Sequence, residues 1–192
     1  ASDHFDIVIV DAFTHAAAPS YKNRLSHVKP LELLGLTATP ERTDGLSILE
    51  WFDGRIAAEL RLWDAIDQHR LAPFSYYGIH DGLDLRAIPW RRGTGYDINE
   101  LSNLYTSSDA WARLVIQEVA KRVDDPFTMK ALGFCVSIKH AQFMAHQFIK
   151  AGIAAAAVWG DTPGTARRDA LRMLADGKIQ ILFSVDLFNE GV

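Results

Sequence analysis

The chain has 192 residues, 48% hydrophobic and 23% charged, which excludes a disordered tail and leaves room for one ordinary domain or two small ones. A formal net charge of -4 gives no global attraction to nucleic acid, so binding of DNA or RNA would have to use a local basic groove. No apolar run reaches membrane-spanning length, the N-terminus has neither a basic start nor an apolar core, and the single cysteine, Cys135, excludes an intrachain disulfide, so a reducing, cytoplasmic setting is expected.

Phe5 to Val10 is a short β-branched run and reads as a buried strand ending at Asp11. Ala16 to His27 is polar and reads as a helix with Pro19 near its start. Leu31 to Thr37 is a second strand, and Pro40 stops it. Glu59 to Arg70 carries Leu62, Trp63 and Ile66 at helical spacing, and Ala72 to Ile79 returns to strand character. His80 to Thr106 is the least regular stretch and reads as a connector. Ser108 then caps a helix on which Trp111, Val115, Val119 and Val123 recur at four-residue spacing. Leu132 to Ser137 is a strand, and His140 to Ala151 a helix closed by Gly152, with Ala141, Met144, Ala145 and Phe148 on one side. Ala154 to Trp159 is a strand, Pro163 opens a helix with Leu171 and Leu174 facing inward, Gly177 closes it, and Ile179 to Val185 is the last strand. Alternating strands and helices predict an α/β fold with mainly parallel sheets, in two halves that meet near residues 70 to 107. Both ends lie close to elements, so the sequence reads as an excerpt of a longer protein.

Five segments carry chemistry. Asp11 opens Asp11-Ala12-Phe13-Thr14-His15 at a strand tip, where a carboxylate either serves the metal of a nucleoside triphosphate or merely ends the strand. Gly35-Leu36-Thr37-Ala38-Thr39-Pro40 ends the next strand in small hydroxyls that either bond a neighbouring carboxylate or simply exit to a turn. Ser137 sits where a strand meets a helix, and either caps that helix, binds phosphate, or does both; His140 is a second contact or a solvated first-turn residue. In Gly160-Asp161-Thr162-Pro163, Thr162 caps the helix or meets a phosphate, and Arg167 and Arg168 form a solvated face or a phosphate contact. Phe188-Asn189-Glu190-Gly191-Val192 puts a glycine where a backbone turns tightly. Pro89-Trp90-Arg91-Arg92-Gly93 with Tyr96 suits base stacking, but reads first as an exposed loop pinned by its Trp. Cys135 has no partner for catalysis and is expected to pack.

Taken in order, these segments resemble the middle of a superfamily 2 helicase motor of the DExH type, from motif II to the start of motif V, in the branch of the XPB-like and type III restriction motors. The resemblance implies two partial RecA-like lobes: residues 1 to 70 the back half of the first (motifs II and III), residues 71 to 107 a connector or insertion, and residues 108 to 192 the front of the second (motifs IV to V). It implies ATP and magnesium between the lobes of the complete protein, with Asp11 holding the metal through the nucleotide. Thr37, Thr39 and Arg42 would couple the lobes, and Glu190 and Gly191 would face the ATP cleft. Ser137, His140, Asp161 and Thr162 would lie along a single strand of DNA, in preference to RNA. Asp11, the tip of the Thr37 strand and Gly191 are then expected to share one crevice.

Three departures set the expectations for activity. Ala12 stands where the family has a water-positioning Glu, and a methyl group accepts neither a proton nor a hydrogen bond. Thr14 takes the box position usually held by His or Asp, with His15 next to it. The Gly-rich phosphate loop and the arginine-bearing motif VI belong upstream of Ala1 and beyond Val192, so this chain alone is expected neither to bind ATP tightly nor to hydrolyse it. The competing expectation is a degenerate helicase-like module that binds nucleic acid or protein without turnover; an unrelated Rossmann-like domain is a third.

Overall fold

A computed structural model of the chain describes residues 5–11, 13, 27–28, 30–38, 48–91 and 94–188. The chain divides into two compact units, Ala1–Tyr76 and Tyr77–Val192. The helix expected from Ala16 to His27 lies almost wholly outside the described residues, as does Pro40.

In the first unit, β1 (Ile7–Val10) and β2 (Glu32–Gly35) pair in parallel, Ile7 opposite Glu32 and Val10 opposite Gly35. Val10 and Leu33 pack on a small core of buried Phe13 and Ile48 with partly buried Trp51 and Phe52, the last two on a 3-10 turn, Leu49–Phe52. Phe13 meets both Trp51 and Phe52 edge-on. The strand read as buried throughout is covered on one face only: Ile7 and Ile9 are 58% and 62% exposed. A period of two sends alternate residues to opposite faces, and the Phe13 cluster covers one of them. Helix α1 (Leu62–Asp67) is shorter than expected and buries Ala65, while Trp63 stays exposed and stacks on Phe74. The segment 72–79, expected to be a strand, joins no ladder among the described residues.

In the second unit, the stretch read as irregular contains a hairpin and a helix. The hairpin pairs β3 (Trp90–Arg91) with β4 (Gly95–Tyr96), and Trp90 is 60% exposed, so it does not pin the loop. Helix α2 (Ile98–Thr106) starts at Asp97, whose carboxylate accepts from the N–H groups of Asn99 and Glu100. Helix α3 (Asp109–Ala120) is capped by Ser108, as its sequence predicts. A three-stranded parallel sheet follows, ordered β5 (Ala131–Phe134), β7 (Ile181–Ser184), β6 (Ala155–Val158). Central β7 is buried at all four positions, the expected state of an inner parallel strand. Helices α4 (Ile138–Lys150) and α5 (Gly164–Ala175) bury Phe148 and Leu174 among the apolar side chains around the sheet. Gly152, at φ +84°, ends α4 as expected. Cys135 packs against this core, and burial pushes its thiol up to about 12, where it is inert.

His140 is not the solvated residue its place in a first helical turn suggests. It is 5% exposed, stacked on Tyr105 at 5.0 Å and tilted against Trp111 at 5.4 Å. Its Nδ1 accepts from the Val136 N–H at 3.4 Å, and its buried Nε2 has no hydrogen-bond partner among the described residues. Burial holds the ring down to about 4, against an ordinary 6.5.

Two outcomes follow from this packing. A Cβ on Gly133 would collide with the ring of core residue Phe183, so Gly133→Ala should cost about 1–3 kcal/mol, read as a lowered thermal midpoint. The unfolded chain protonates His140 below 6.5, the folded one only near 4, so its contribution to stability is complete above 6.5 and lost as pH falls through that window. Between about pH 6.5 and about pH 5 the loss should be about 2 kcal/mol, and denaturant titrations of His140→Phe should show a smaller loss over the same interval.

Candidate functional site

Parallel strands end at the same edge, and β1 and β2 put their polar exits there together. The Leu36 N–H donates to the Val10 carbonyl and the Phe13 N–H to the Leu36 carbonyl, each at 2.9 Å. The pairing therefore continues past both strands, and Asp11 and Thr37 leave neighbouring tips. Asp11 is exposed and Thr37 half-buried. Phe13, wholly buried two residues on, anchors the segment that carries the carboxylate. Gly35 makes this close approach possible: a Cβ there would lie 2.5 Å from Phe52 and 2.9 Å from Phe13. Ala12, Thr14, Thr39, Arg42, Glu190 and Gly191 lie outside the described residues, and so does the crevice expected to include Gly191.

The chemistry of the Asp11 tip suits magnesium, which keeps most of its water and takes one or two carboxylates beside substrate phosphates. Among the described residues no group of three or more His, Cys, Asp or Glu could hold an ion unaided.

The second unit presents a different kind of surface. Ser137 caps α4, its Oγ accepting from the His140 N–H at 3.1 Å. The same Oγ lies 2.6 Å from the Ser102 hydroxyl on α2. Next to it, Lys139 Nζ donates to Asn103 Oδ1 at 3.0 Å. A half-buried hydroxyl, a helix N-terminus and an exposed lysine thus meet at one turn. His140 backs this turn from inside and, at 5% exposure, presents no face to a ligand.

The turn at residues 159–162 departs from both roles expected for its side chains. Thr162 does not cap α5; Pro163 holds the cap position, and Thr162 Oγ1 instead accepts from the Trp159 N–H at 2.9 Å. Arg167 is not a solvated face: its guanidinium donates to the carbonyls of Gly160 and Thr162 at 3.0 and 3.3 Å, fixing the turn and leaving Asp161 exposed. Beyond β7, Asp186 and Phe188 take left-handed φ values of 51° and 63°, so the chain turns sharply before it reaches Gly191. A groove of about 510 Å³ beside α3, lined by Tyr77, Ile79, Trp111, Val115 and Val119, contains none of these motif residues.

Sequence reasoning missed Ser102, Lys139 and the clamp role of Arg167. One signal was available: Asp97 followed by Glu100 has the spacing of a capping box and marks the helix that carries Ser102.

Residues 1–42 match the family described as type III restriction enzyme, res subunit. A 51.5 kDa protein of Lactococcus phage (isolate 7-9) is 28% identical over 187 residues, covering 96% of this chain and 39% of that protein. The putative ATP-dependent helicase IRC3 of Saccharomyces cerevisiae is 22% identical over 192 residues, covering 97% of this chain and 27% of that one. Among solved structures, a variant of S. cerevisiae Dbp5 bound to RNA and ADP BeF3 aligns with 97% of this chain and 41% of its own, at 11% identity and a TM-score of 0.42. The chain thus spans less than half the length of the proteins it matches. Its resemblance to a superfamily 2 helicase core is carried by the order of its motifs, by the restriction-subunit match and by the helicase relative aligned along nearly its whole length.

Proposed function

We propose that this chain is part of an ATP-dependent helicase or translocase that moves on nucleic acid, with DNA preferred to RNA. The observation that carries the reading is the placement of Asp11 and Thr37 on adjacent tips of a parallel strand pair. Residues 1 to 70 and 108 to 192 supply parts of two lobes. In the complete protein Asp11 would hold magnesium that is bound with a nucleotide, and the metal would supply charge neutralisation at the phosphates. Asp11 orients that complex, and the Thr37 tip carries its state towards the rest of the motor. Ser137 and Lys139 offer donors to a phosphodiester backbone.

Ala12 favours a second reading, a module that binds without hydrolysis. The full-length protein separates the two. ATP hydrolysis should be weak with or without single-stranded DNA, and Ala12→Glu should raise the DNA-stimulated rate by about 10²-fold by restoring a group that orients water. Asp11→Asn in that background should return it to the basal level. An Ala12→Glu protein with no stimulated turnover would leave the binding module as the function.

A further inference from the structure

We infer that Ser102, on α2, is a positioning residue that turns the Ser137 hydroxyl into a donor for phosphodiester oxygens. This rests on the reading of Ser137 as a backbone contact and adds to it the residue that sets the direction of its proton.

Each hydroxyl has one proton to give and two lone pairs. Ser137 Oγ already accepts the His140 N–H at 3.1 Å. Between Ser137 and Ser102, 2.6 Å apart, a single proton is shared, and one of the two hydroxyls keeps its own for another partner. Ser102 is 5% exposed, and among the described residues its hydroxyl bonds only to Ser137. If Ser137 gave the shared proton, that of Ser102 would be buried without an acceptor, which is costly. If Ser102 gives it, both hydroxyls are satisfied. Ser137 then accepts twice, and its own proton points to whatever approaches the half-buried start of α4. A hydroxyl held in that state meets an acceptor-only ligand, such as a phosphate oxygen, with no reorientation. The neighbouring bond from Lys139 to Asn103 joins the same two helices, one residue further along α2 and two further along α4.

The test measures binding of fluorescein-labelled oligo(dT) to the full-length protein by anisotropy, with Ser102→Ala, Ser137→Ala and the double variant, and records each thermal midpoint. Ser137→Ala should weaken binding about tenfold and Ser102→Ala about fivefold. The double variant should bind no more weakly than Ser137→Ala, because Ser102 acts only through that hydroxyl. The salt dependence should stay that of the parent protein, since no charge is removed. Ser102→Cys, close in size but a poor donor, should match Ser102→Ala and stands in if the alanine variant does not fold. If Ser137→Ala weakens binding and Ser102→Ala or Ser102→Cys does not, the inference is overturned while the site reading stands. Additive losses in the double variant would reduce Ser102 to a packing role and also overturn it. If Ser137→Ala binds like the parent, the site reading fails and takes the inference with it.

Discussion

Parallel pairing throws together residues that lie far apart along the chain. Two strands that run the same way must end at the same edge, so whatever follows each of them becomes a neighbour across that edge. β1 and β2 obey this for Asp11 and Thr37, which are separated by more than two dozen residues of sequence. Beside the backbone bonds, the placement is held by apolar packing. Phe13 sits between the two exits and buries its ring against Trp51 and Phe52, and Gly35 leaves the space that ring needs. A carboxylate at a strand tip is useful only where something else fixes the backbone beneath it, and here a buried phenylalanine does so.

The second unit applies the same division between a rigid inner layer and a polar outer turn. β7 is buried at every position, and the helices lock onto its sheet through Phe148, Met144 and Leu174. At the end of β5 the chain turns outward into α4, where hydroxyls and an exposed lysine lie over the stacked rings of His140, Tyr105 and Trp111. The histidine belongs to the foundation and not to the surface. Its ring stays neutral at ordinary pH because burial disfavours the charge, so the start of α4 keeps a constant electrostatic character where a solvated histidine would have made it vary with pH.

Legibility in the sequence followed how local each signal was. Ser108 and Ser137 as caps, Gly152 as a stop and the strands around Leu132, Ala156 and Leu182 depend on a few consecutive residues, and they stand where expected. The segment 72–79 has strand-forming residues but finds no ladder among the described ones, because β propensity becomes a strand only when a partner is present. Burial was the harder inference. An apolar run such as Ile7 to Val10 suggests two covered faces, but which faces are covered depends on elements elsewhere in the chain. Helix α2 was missed because glycines and a proline upstream suggested irregularity, although Asp97 and Glu100 announced it locally. The bonds from Ser102 to Ser137 and from Arg167 to Gly160 join residues through the fold, and no spacing rule states them.

What these contacts share is a reliance on oriented neutral groups. The chain carries a net charge of -4, so a polyanionic strand approaches it without long-range attraction. On the proposed reading, affinity would arise at short range, from donors whose direction is fixed before the ligand arrives. Ser137 at the start of α4 is of this kind, held by a hydrogen bond from α2. A strand held through hydroxyls and backbone dipoles is gripped in register and released without breaking many ion pairs. Under the proposed function, that balance would suit a motor, which must let go at every step, better than a protein built to hold one site.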